Sequence, residues 1–259
     1  MQSDCQDPGI RRFSAFLREQ AFAPHRHDVY TFGLTTQGVQ CFDYRGGARH
    51  ALPGDLVVLH PDELHDGRPG TVAGFGYRAI TVMPGSIGSL LPGQALPFVR
   101  DGISANPRLK RAVRDLLVDI DQPLSSLQAA DGLVQIARAL AEACGRPEPV
   151  SPIDRQAAQR ARDYIHAHLD QAVQMADLER AAGQDRWQLS RDFRALHGTS
   201  PYRYLLMRRL DAARECLLRG DSAASAALAC GFSDQSHLQR HFKAAHGLSP
   251  LRWTQSLRR

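Results

Sequence analysis

Two stretches of the sequence carry long hydrogen-bonding side chains in matching positions. Each stretch has an apolar stripe at helical spacing, which predicts a helix packed on a neighbour. The stripes consist of Leu189, Phe193 and Leu196 and of Leu238, Phe242 and Ala245. The opposite faces carry Arg186, Trp187, Ser190, Arg191 and Arg194 and then Gln235, Ser236, Gln239, Arg240 and Lys243. Because Arg can bond guanine bidentately and Gln can bond adenine, these faces could read base edges in a DNA major groove.

Three histidines in the first part of the chain could take part in a different chemistry. His25 and His27 stand two residues apart, so on one strand both would point to the same side, and His65 could add a third metal ligand. The alternative that we favour is that these histidines line a small-molecule pocket or hydrogen-bond inside a barrel. The sequence shows no nucleophile–base pair and no phosphate-cradling loop, so we expect neither catalytic residues nor a cofactor.

The elements that would position the first set of side chains form an internal repeat. Residues 189–203 (LSRDFRALHGTSPYR) align without gaps on residues 238–252 (LQRHFKAAHGLSPLR), and nine of the fifteen positions are identical. A small-residue helix and a glycine turn precede each copy, as ERAAG and as ALACG. This pattern predicts a helix-turn-helix used twice. Asp185 and Asp234 can cap the second helices, and a helix from Pro201 to about Arg219 would hold the two units apart.

Individual residues of the repeat also have plainer interpretations. Trp187 could cover a hydrophobic seam, and Arg191 and Arg240 could form a salt bridge that both copies share. His197 and His246 precede a glycine that ends a helix, where a cation suits the helix dipole, so we interpret both as structural. The arginines of the connecting helix are expected to be solvated or internally paired rather than to read bases: Arg208, Arg209 and Arg214.

The chain before the repeat predicts β structure followed by two helices. Residues 22–100 contain short apolar runs between Gly and Pro turn signals, which favours a sandwich or barrel. Helices are predicted from Pro107 and over about 124–144. Their apolar stripes are Leu109, Val113, Leu116, Leu117 and Ile120 and then Leu133, Ile136, Ala137 and Leu140. We expect these stripes to form a dimer contact, and the alternative is that both pack on their own barrel. The three prolines of Gly145–Pro152 predict a domain boundary.

The net charge of the 259-residue chain is +5, and the excess lies entirely in its last part. Residues 1–150 contain 15 basic and 16 acidic side chains, whereas residues 151–259 contain 17 and 11, which favours an anionic partner for the last part. The five cysteines form no Cys-x-x-Cys pair, which predicts reduced thiols rather than disulfides or a zinc site. Because no membrane span and no secretory signal are recognisable, we expect a cytoplasmic protein with no membrane partner.

Residues 154–256 resemble the DNA-binding domain of the AraC/XylS family of bacterial transcription regulators, and ALACGFSDQSHLQRHFKAAHGLSPLRW is close to that family's signature. The resemblance implies seven helices, with two helix-turn-helix units in successive major grooves of promoter DNA, and RNA polymerase as a further partner. It implies base readout by Arg186, Trp187, Ser190 and Arg191 and by Gln235, Ser236, His237, Gln239 and Arg240. Asp185-Arg186 departs from the Ser-Pro or Ser-Lys that is common in the family, and this departure leaves the helix cap intact.

The N-terminal part resembles the cupin-like sensor domain that is attached to many members of that family. The residues that carry this resemblance include His25-Arg-His27-Asp28, Pro53-Gly54-Asp55 and His60-Pro-Asp-Glu-Leu-His65-Asp-Gly67. The resemblance implies a jelly-roll barrel that binds a small-molecule effector, with His25, His27 and His65 as candidate ligand-binding residues. Metal-binding cupins add a glutamate soon after the His-x-His pair, whereas this chain continues Asp28-Val29-Tyr30-Thr31-Phe32, so we expect no metal.

We therefore expect an α+β multidomain protein. Residues 1–105 would form the cupin-like effector-sensing barrel, residues 106–150 the dimerisation and linker helices, and residues 151–259 an all-α DNA-binding domain with two helix-turn-helix units. The expected function is that of a homodimeric, sequence-specific transcriptional regulator controlled by an effector, and not that of an enzyme. Two alternatives remain. One is a metal-dependent cupin enzyme that its helical domain tethers to DNA, and the other is a regulator whose barrel binds no ligand and only dimerises.

Overall fold

The fold is taken from a computed structural model that describes residues 10–18, 22–145, 152–246 and 248–257. The chain forms two compact units, and the main division along the chain falls after Pro152. Most of the segment predicted as a domain boundary, residues 146–151, lies outside the described residues.

The first unit is built on two β-sheets. Its strands are β1 Ile10–Leu17, β2 Phe22–His25, β3 Tyr30–Gly38, β4 Gln40–Tyr44, β5 Gly47–Ala51, β6 Leu56–Leu59, β7 His65–Pro69, β8 Phe75–Val82 and β9 Ile103–Ser104. The larger sheet has the order β1-β8-β3-β6-β9 and the smaller sheet the order β2-β7-β4-β5. Both β6 and β8 pair with β3 in antiparallel register. The predicted jelly-roll type of fold is confirmed, although the described strands form two separate sheets rather than one closed barrel.

Three helices accompany these sheets: α1 Pro84–Leu90, α2 Pro107–Leu117 and α3 Ser126–Ala143. The prediction of β structure across residues 22–100 is wrong for α1. This helix begins because Pro84 occupies the first helical turn, where its fixed φ is already helical and its missing N–H needs no partner. The two helices predicted around residues 107–144 are both present, capped by Asn106 and Ser125.

The helices α2 and α3 pack on the larger sheet. Leu116 and Ile136 lie in one apolar cluster with Phe32, Val58 and Ile80 of the strands. The predicted stripe residues are buried in this cluster, and only Ile120 remains partly exposed. Both stripes therefore pack on their own unit, which was the alternative interpretation, and the dimer contact cannot use them because they are already covered.

The second unit consists of helices. They are α4 Arg155–Ala167, α5 Met175–Ala182, α6 Arg186–His197, α7 Pro201–Leu218, α8 Ala223–Ala229, α9 Gln235–His246 and α10 Pro250–Leu257. Two apolar clusters hold them together, one under α6 and one under α9. The long helix α7 contributes Tyr204 and Leu205 to the first cluster and Leu210 and Ala213 to the second, so it joins the two halves. Within the described residues, no helix is both long and apolar enough to cross a membrane.

Candidate nucleic-acid interface

The helices α6 and α9 begin at the aspartates that the sequence predicts as caps. The Asp185 carboxylate accepts hydrogen bonds from the backbone N–H groups of Trp187 and Gln188, at 2.9 and 3.1 Å. The Asp234 carboxylate accepts one from the N–H of His237 at 2.7 Å. This bond and one from the Ser233 hydroxyl lower the pKa of Asp234, so the cap stays ionised at neutral pH.

Each of these helices follows a turn that begins at a glycine. Gly183 and Gly231 have φ values of +67° and +74°, in the left-handed region that glycine adopts without strain. Two residues separate Gly183 from the helix start at Arg186, whereas three separate Gly231 from Gln235, so the second turn is one residue longer. The two helix-turn-helix units are related in sequence but their turns are not identical.

The outer face of α6 is open to solvent at its N-terminal half. The Trp187 side chain is 81% exposed, so the interpretation that it covers a hydrophobic seam is wrong. Arg186 and Arg191 are also exposed, and Ser190 is half-buried. The stripe on the opposite face, Leu189, Phe193 and Leu196, is buried as predicted.

Two arginines of this face, Arg186 and Arg191, form ion pairs with carboxylates of the same unit. The Nε–H of Arg186 lies 3.4 Å from Glu179 Oε1, which also accepts a hydrogen bond from the Arg186 backbone N–H at 2.9 Å. Arg191 Nε donates to Asp192 Oδ1 at 2.9 Å, and the Asp192 side chain is fully buried. Burial alone would raise the pKa of Asp192, but the hydrogen bonds from Arg191, Gln184 and the Asp154 backbone lower it.

The outer face of α9 is richer in amides. Gln235, Ser236, Gln239 and Arg240 are exposed, and His237 is half-buried. The Nδ1 atom of His237 accepts a hydrogen bond from the Ser233 backbone N–H at 3.3 Å. A neutral His237 ring bonded in this way carries its proton on Nε2 and can donate one hydrogen bond.

The two copies do not share the ion pair that Arg191 forms with Asp192. Position 192 of the first copy corresponds to position 241 of the second, where the chain has His241 instead of Asp192. Arg240 therefore has a different neighbour from Arg191. The interpretation of a common structural ion pair holds for the first copy and is wrong for the second.

The histidines at the ends of α6 and α9 are not cations. Burial, together with Arg162 for one and Arg214 for the other, lowers the pKa of both His197 and His246 to about 4. They are therefore neutral at pH 7, so a favourable interaction of a cation with the helix dipole is not the reason for their position, whereas their interpretation as structural residues agrees with their packing. Instead they pack as rings, His197 on Phe193 with centroids 4.4 Å apart and His246 in the same way on the phenylalanine of its own helix.

The arginines of α7 are engaged within the unit. Arg208 and Arg214 form ion pairs with Asp211, at 3.1 and 3.8 Å. The Nε–H of Arg209 donates to the Leu169 carbonyl at 2.8 Å. These residues were predicted to be either solvated or internally paired, and the structure shows internal partners for all three.

The three candidate histidines of the N-terminal part do not lie on one strand, and His25–His27 group with the second compact unit whereas His65 belongs to the first. Strand β2 ends at His25, and His27 lies beyond it where the chain bends towards β3, so strand alternation does not align the two side chains. Their ring centroids are 6.2 Å apart. His65 is buried at the start of β7 and its Nδ1 lies 2.9 Å from the Glu63 carbonyl oxygen. The described residues contain no group of three or more His, Cys, Asp or Glu side chains that could hold a metal ion.

Two buried polar residues of the first unit were missed by the sequence analysis. His60 stacks on Phe98 with centroids 4.2 Å apart, and burial lowers its pKa to about 3. Its Nε2 accepts a hydrogen bond from the Val99 N–H at 2.9 Å, while Nδ1 has no partner among the described residues. The hydroxyl of Tyr44 is likewise buried without a described partner. The sequence did contain a signal for His60, because the motif that begins His60-Pro-Asp is among the residues that carry the resemblance to the sensor domain. The sequence analysis assigned no role to His60 itself.

Comparison of the sequence with known proteins finds the same two parts. The model of a family described as AraC-like ligand binding domain matches residues 7–137, and one described as helix-turn-helix domain matches residues 178–256. YbfI, an uncharacterised HTH-type transcriptional regulator of Bacillus subtilis, is 24% identical over 242 residues, which cover 87% of this chain and 84% of YbfI. LumQ, a probable transcriptional regulator of Photobacterium leiognathi, is 33% identical over 75 residues, which cover 29% of this chain and 30% of LumQ.

The structure of ToxT from Vibrio cholerae is similar along almost the whole chain. One ToxT structure has a TM-score of 0.67 at 10% identity and covers 95% of this chain and 98% of its own. Another, with an unsaturated fatty acid bound, has a TM-score of 0.67 at 12% identity and covers 97% and 96%. At such identity the likeness shows the fold alone, and it confirms the predicted organisation of a β-rich first part and a helical second part.

Proposed function

Because this chain belongs to the AraC family of transcriptional regulators, we propose that it binds promoter DNA through α6 and α9 and that a small-molecule effector bound to its first unit controls this binding. The observation that carries the proposal is the repeated arrangement of the second unit. Each copy presents a capped helix whose apolar stripe is buried and whose outer face exposes Arg, Gln or Trp side chains. A recognition helix enters the major groove with this face.

The two helices would read different bases in successive major grooves. Readout by α6 is assigned to Arg186, Trp187, Ser190 and Arg191, and readout by α9 to Gln235, Ser236, His237, Gln239 and Arg240. The chemistry of the two faces supports guanine contacts in the first half-site and adenine contacts as well as guanine in the second. The two half-sites would lie about one helical turn, or 10 bp, apart.

The effector would bind in the N-terminal part of the chain, which the model of the AraC-like ligand binding domain matches. His25, His27 and His65 remain the residues proposed to line its site, and the Tyr44 hydroxyl and the Nδ1 atom of His60 add two buried polar atoms without a hydrogen-bond partner among the described residues. The unsaturated fatty acid bound to ToxT supports a small molecule as effector in a protein of this fold.

The remaining proposals concern partners and location. A homodimer would use the outer faces of α2 and α3, where Leu127 is 79% and Val118 is 60% exposed, because the inner stripes are buried. RNA polymerase is the further partner that a promoter-bound regulator of this family would contact. Promoter DNA as the main partner supports action in the cytoplasm.

Half-site substitutions test the proposal on the full-length protein. Arg186→Ala or Arg191→Ala should relax base preference in one half-site, and Gln239→Ala or Arg240→Ala should relax it in the other, each by ~1–3 kcal/mol of discrimination. Fluorescence anisotropy with duplexes altered in one half-site at a time measures this. Arg100→Ala, at an exposed position outside α2, α3 and the second unit, is the control that should change nothing. If every variant loses the same affinity for all sequences, these side chains contact phosphate and the assignment of base readout is wrong.

A further inference from the structure

The second unit contains a buried carboxylate, that of Asp192, to which the proposed function assigns no role. The Asp192 side chain is fully buried on α6, directly after Arg191. Its Oδ2 accepts hydrogen bonds from the Gln184 amide at 2.9 Å and from the Asp154 backbone N–H at 3.1 Å. Its Oδ1 accepts the Nε–H of Arg191 at 2.9 Å. The carboxylate therefore connects the turn before α6, the start of α4 and the guanidinium on the outer face.

The charge of Asp192 requires a cation, and Arg191 supplies it. A carboxylate taken out of water is stable only when it is paired and hydrogen-bonded. The bond uses the Nε–H of the planar guanidinium, so it restrains both the position and the rotation of that group. The Arg191 side chain is 45% exposed and reaches the surface from this anchor. An arginine held in this way loses less conformational entropy when it binds than a mobile one does.

The second copy has no such anchor. Forty-nine residues further along, His241 stands in place of Asp192, and a histidine ring, which is neutral or positively charged, cannot supply the negative charge of a carboxylate. Arg240 occupies the position of Arg191 on α9 and is exposed. The repeat therefore contains one arginine with a buried acidic neighbour and one without.

We infer that Asp192 is a positioning residue that holds Arg191 in one orientation for a base contact, and that this device operates only in the first helix-turn-helix. The inference rests on the proposed function, in which Arg191 reads a base. It predicts that DNA discrimination at the base pair read by Arg191 depends on a residue that never touches DNA.

The test compares Asp192→Asn with a matched control in the full-length protein. Anisotropy is measured on the cognate duplex, on duplexes altered at the base pair that Arg191→Ala identifies, and on duplexes altered in the other half-site. Asp192→Asn should reduce discrimination in the first half-site about tenfold, within the range for one bidentate contact, and leave the second half-site unchanged. The matched control is Gln184→Met, which removes the hydrogen bond from Gln184 to Asp192 and keeps the one from Arg191. It should lower the melting temperature but leave the base discrimination in the first half-site unchanged.

A double variant separates positioning from a structural role. If Asp192 acts through Arg191, Asp192→Asn adds no further loss of discrimination in the Arg191→Ala background, and an additive loss would overturn the inference. If Arg191→Ala loses discrimination while Asp192→Asn keeps it, only the inference is wrong. If Arg191→Ala keeps it, Arg191 reads no base, and the proposed assignment of that residue is wrong together with the inference.

A third variant covers the case in which Asp192→Asn does not fold. Arg191→Lys keeps the positive charge beside Asp192 but has no planar guanidinium to fix. Arg191→Lys should reduce base discrimination in the first half-site by about the same factor as Asp192→Asn, roughly tenfold. Its affinity for unrelated DNA should stay within about twofold, because the positive charge that attracts phosphate is kept. Full discrimination by Arg191→Lys would overturn the inference.

Discussion

At the scale of single residues, His197 and His246 show how one residue type can be placed for its ring and not for its charge. Each has an Nε2 atom that is buried without a hydrogen-bond partner among the described residues. Both rings pack on the phenylalanine one turn earlier in their own helix. A phenylalanine at either position would therefore keep the packing and lose no Nε2 hydrogen bond.

We expect the double variant His197→Phe, His246→Phe to resist acid better than the natural protein. The pKa of each histidine is lowered from its ordinary value of 6.5 to about 4 in the folded chain, so only the unfolded chain takes up these protons as pH falls from 6.5 towards 4. Over this window the free energy of unfolding should fall by at most about 1.4 kcal/mol per pH unit for each histidine, and this part should vanish in the variant. Urea denaturation at several pH values measures the slope, and an unchanged slope would contradict the prediction.

The sequence predicted residues whose partners are close along the chain. The caps Asp185 and Asp234 were identified because a capping side chain bonds the backbone two or three residues further on. The network of Asp192 was not predicted, because one of its partners, Asp154, lies 38 residues away. Exposure of Trp187 was left open for the same reason, since it depends on which helix packs against α6.

At the scale of elements, the amphipathic pattern of α2 and α3 shows that a stripe is buried but not what buries it. Leu116 packs over Gly132 of α3 so closely that a Cβ added to this glycine would lie 2.6 Å from the leucine side chain. The same cluster includes the inward side chains of the larger sheet. The pattern along one segment contains no information about the sheet face that covers it, and this is why the sequence also allowed a partner chain.

We predict that Leu116→Glu, Leu117→Glu unfolds the first unit rather than producing a folded monomer. The two leucines are 5% and 2% exposed, so the change would bury two unpaired carboxylates. Near-ultraviolet circular dichroism and thermal melting should show the loss of packed tertiary structure. Val72→Glu is the matched control, because Val72 lies between β7 and β8 and is 98% exposed. A double variant that remains folded like the control would show that the stripe is not part of the core.

The two glycine turns allow a second test at this scale. An alanine Cβ at Gly231 would lie 2.5 Å from the Leu169 carbonyl oxygen, whereas at Gly183 its nearest neighbour would be the end of Arg160 at 3.8 Å. Both positions have positive φ, so Gly183→Ala should cost only the ~1–2 kcal/mol of that conformation, and Gly231→Ala should cost more because the backbone must also move. Equal losses in urea denaturation would contradict the contact with Leu169.

At the scale of the whole molecule, the uneven charge makes a prediction about salt. Residues 151–259 carry 17 basic and 11 acidic side chains, and the basic ones include the exposed Arg186 and Lys243 of the candidate interface. The logarithm of the association constant of the full-length protein for its DNA should fall linearly with the logarithm of the salt concentration. Each phosphate contact should add roughly 0.9 to the steepness of this slope. Lys243→Ala should lower that slope by about one unit if it contacts a phosphate. Anisotropy titrations across a salt series measure both, and affinity that ignores salt would contradict DNA binding by this surface.

The order of strand pairing along the chain also determines when the first unit can fold during translation. Strand β1 pairs along its whole length with β8, from Ile10 with Val82 to Leu17 with Phe75, and α2 and α3 pack on the apolar face of this sheet together with Ile87 of α1. During translation, β1 therefore cannot pair until β8 has left the ribosome. The apolar face of the larger sheet stays exposed until α3, which ends at Ala143, has also emerged. Only then are the helices that would read DNA translated. A chain truncated after Ala143 would therefore contain both described sheets and the helices that pack on the larger one, but none of the helices that would read DNA.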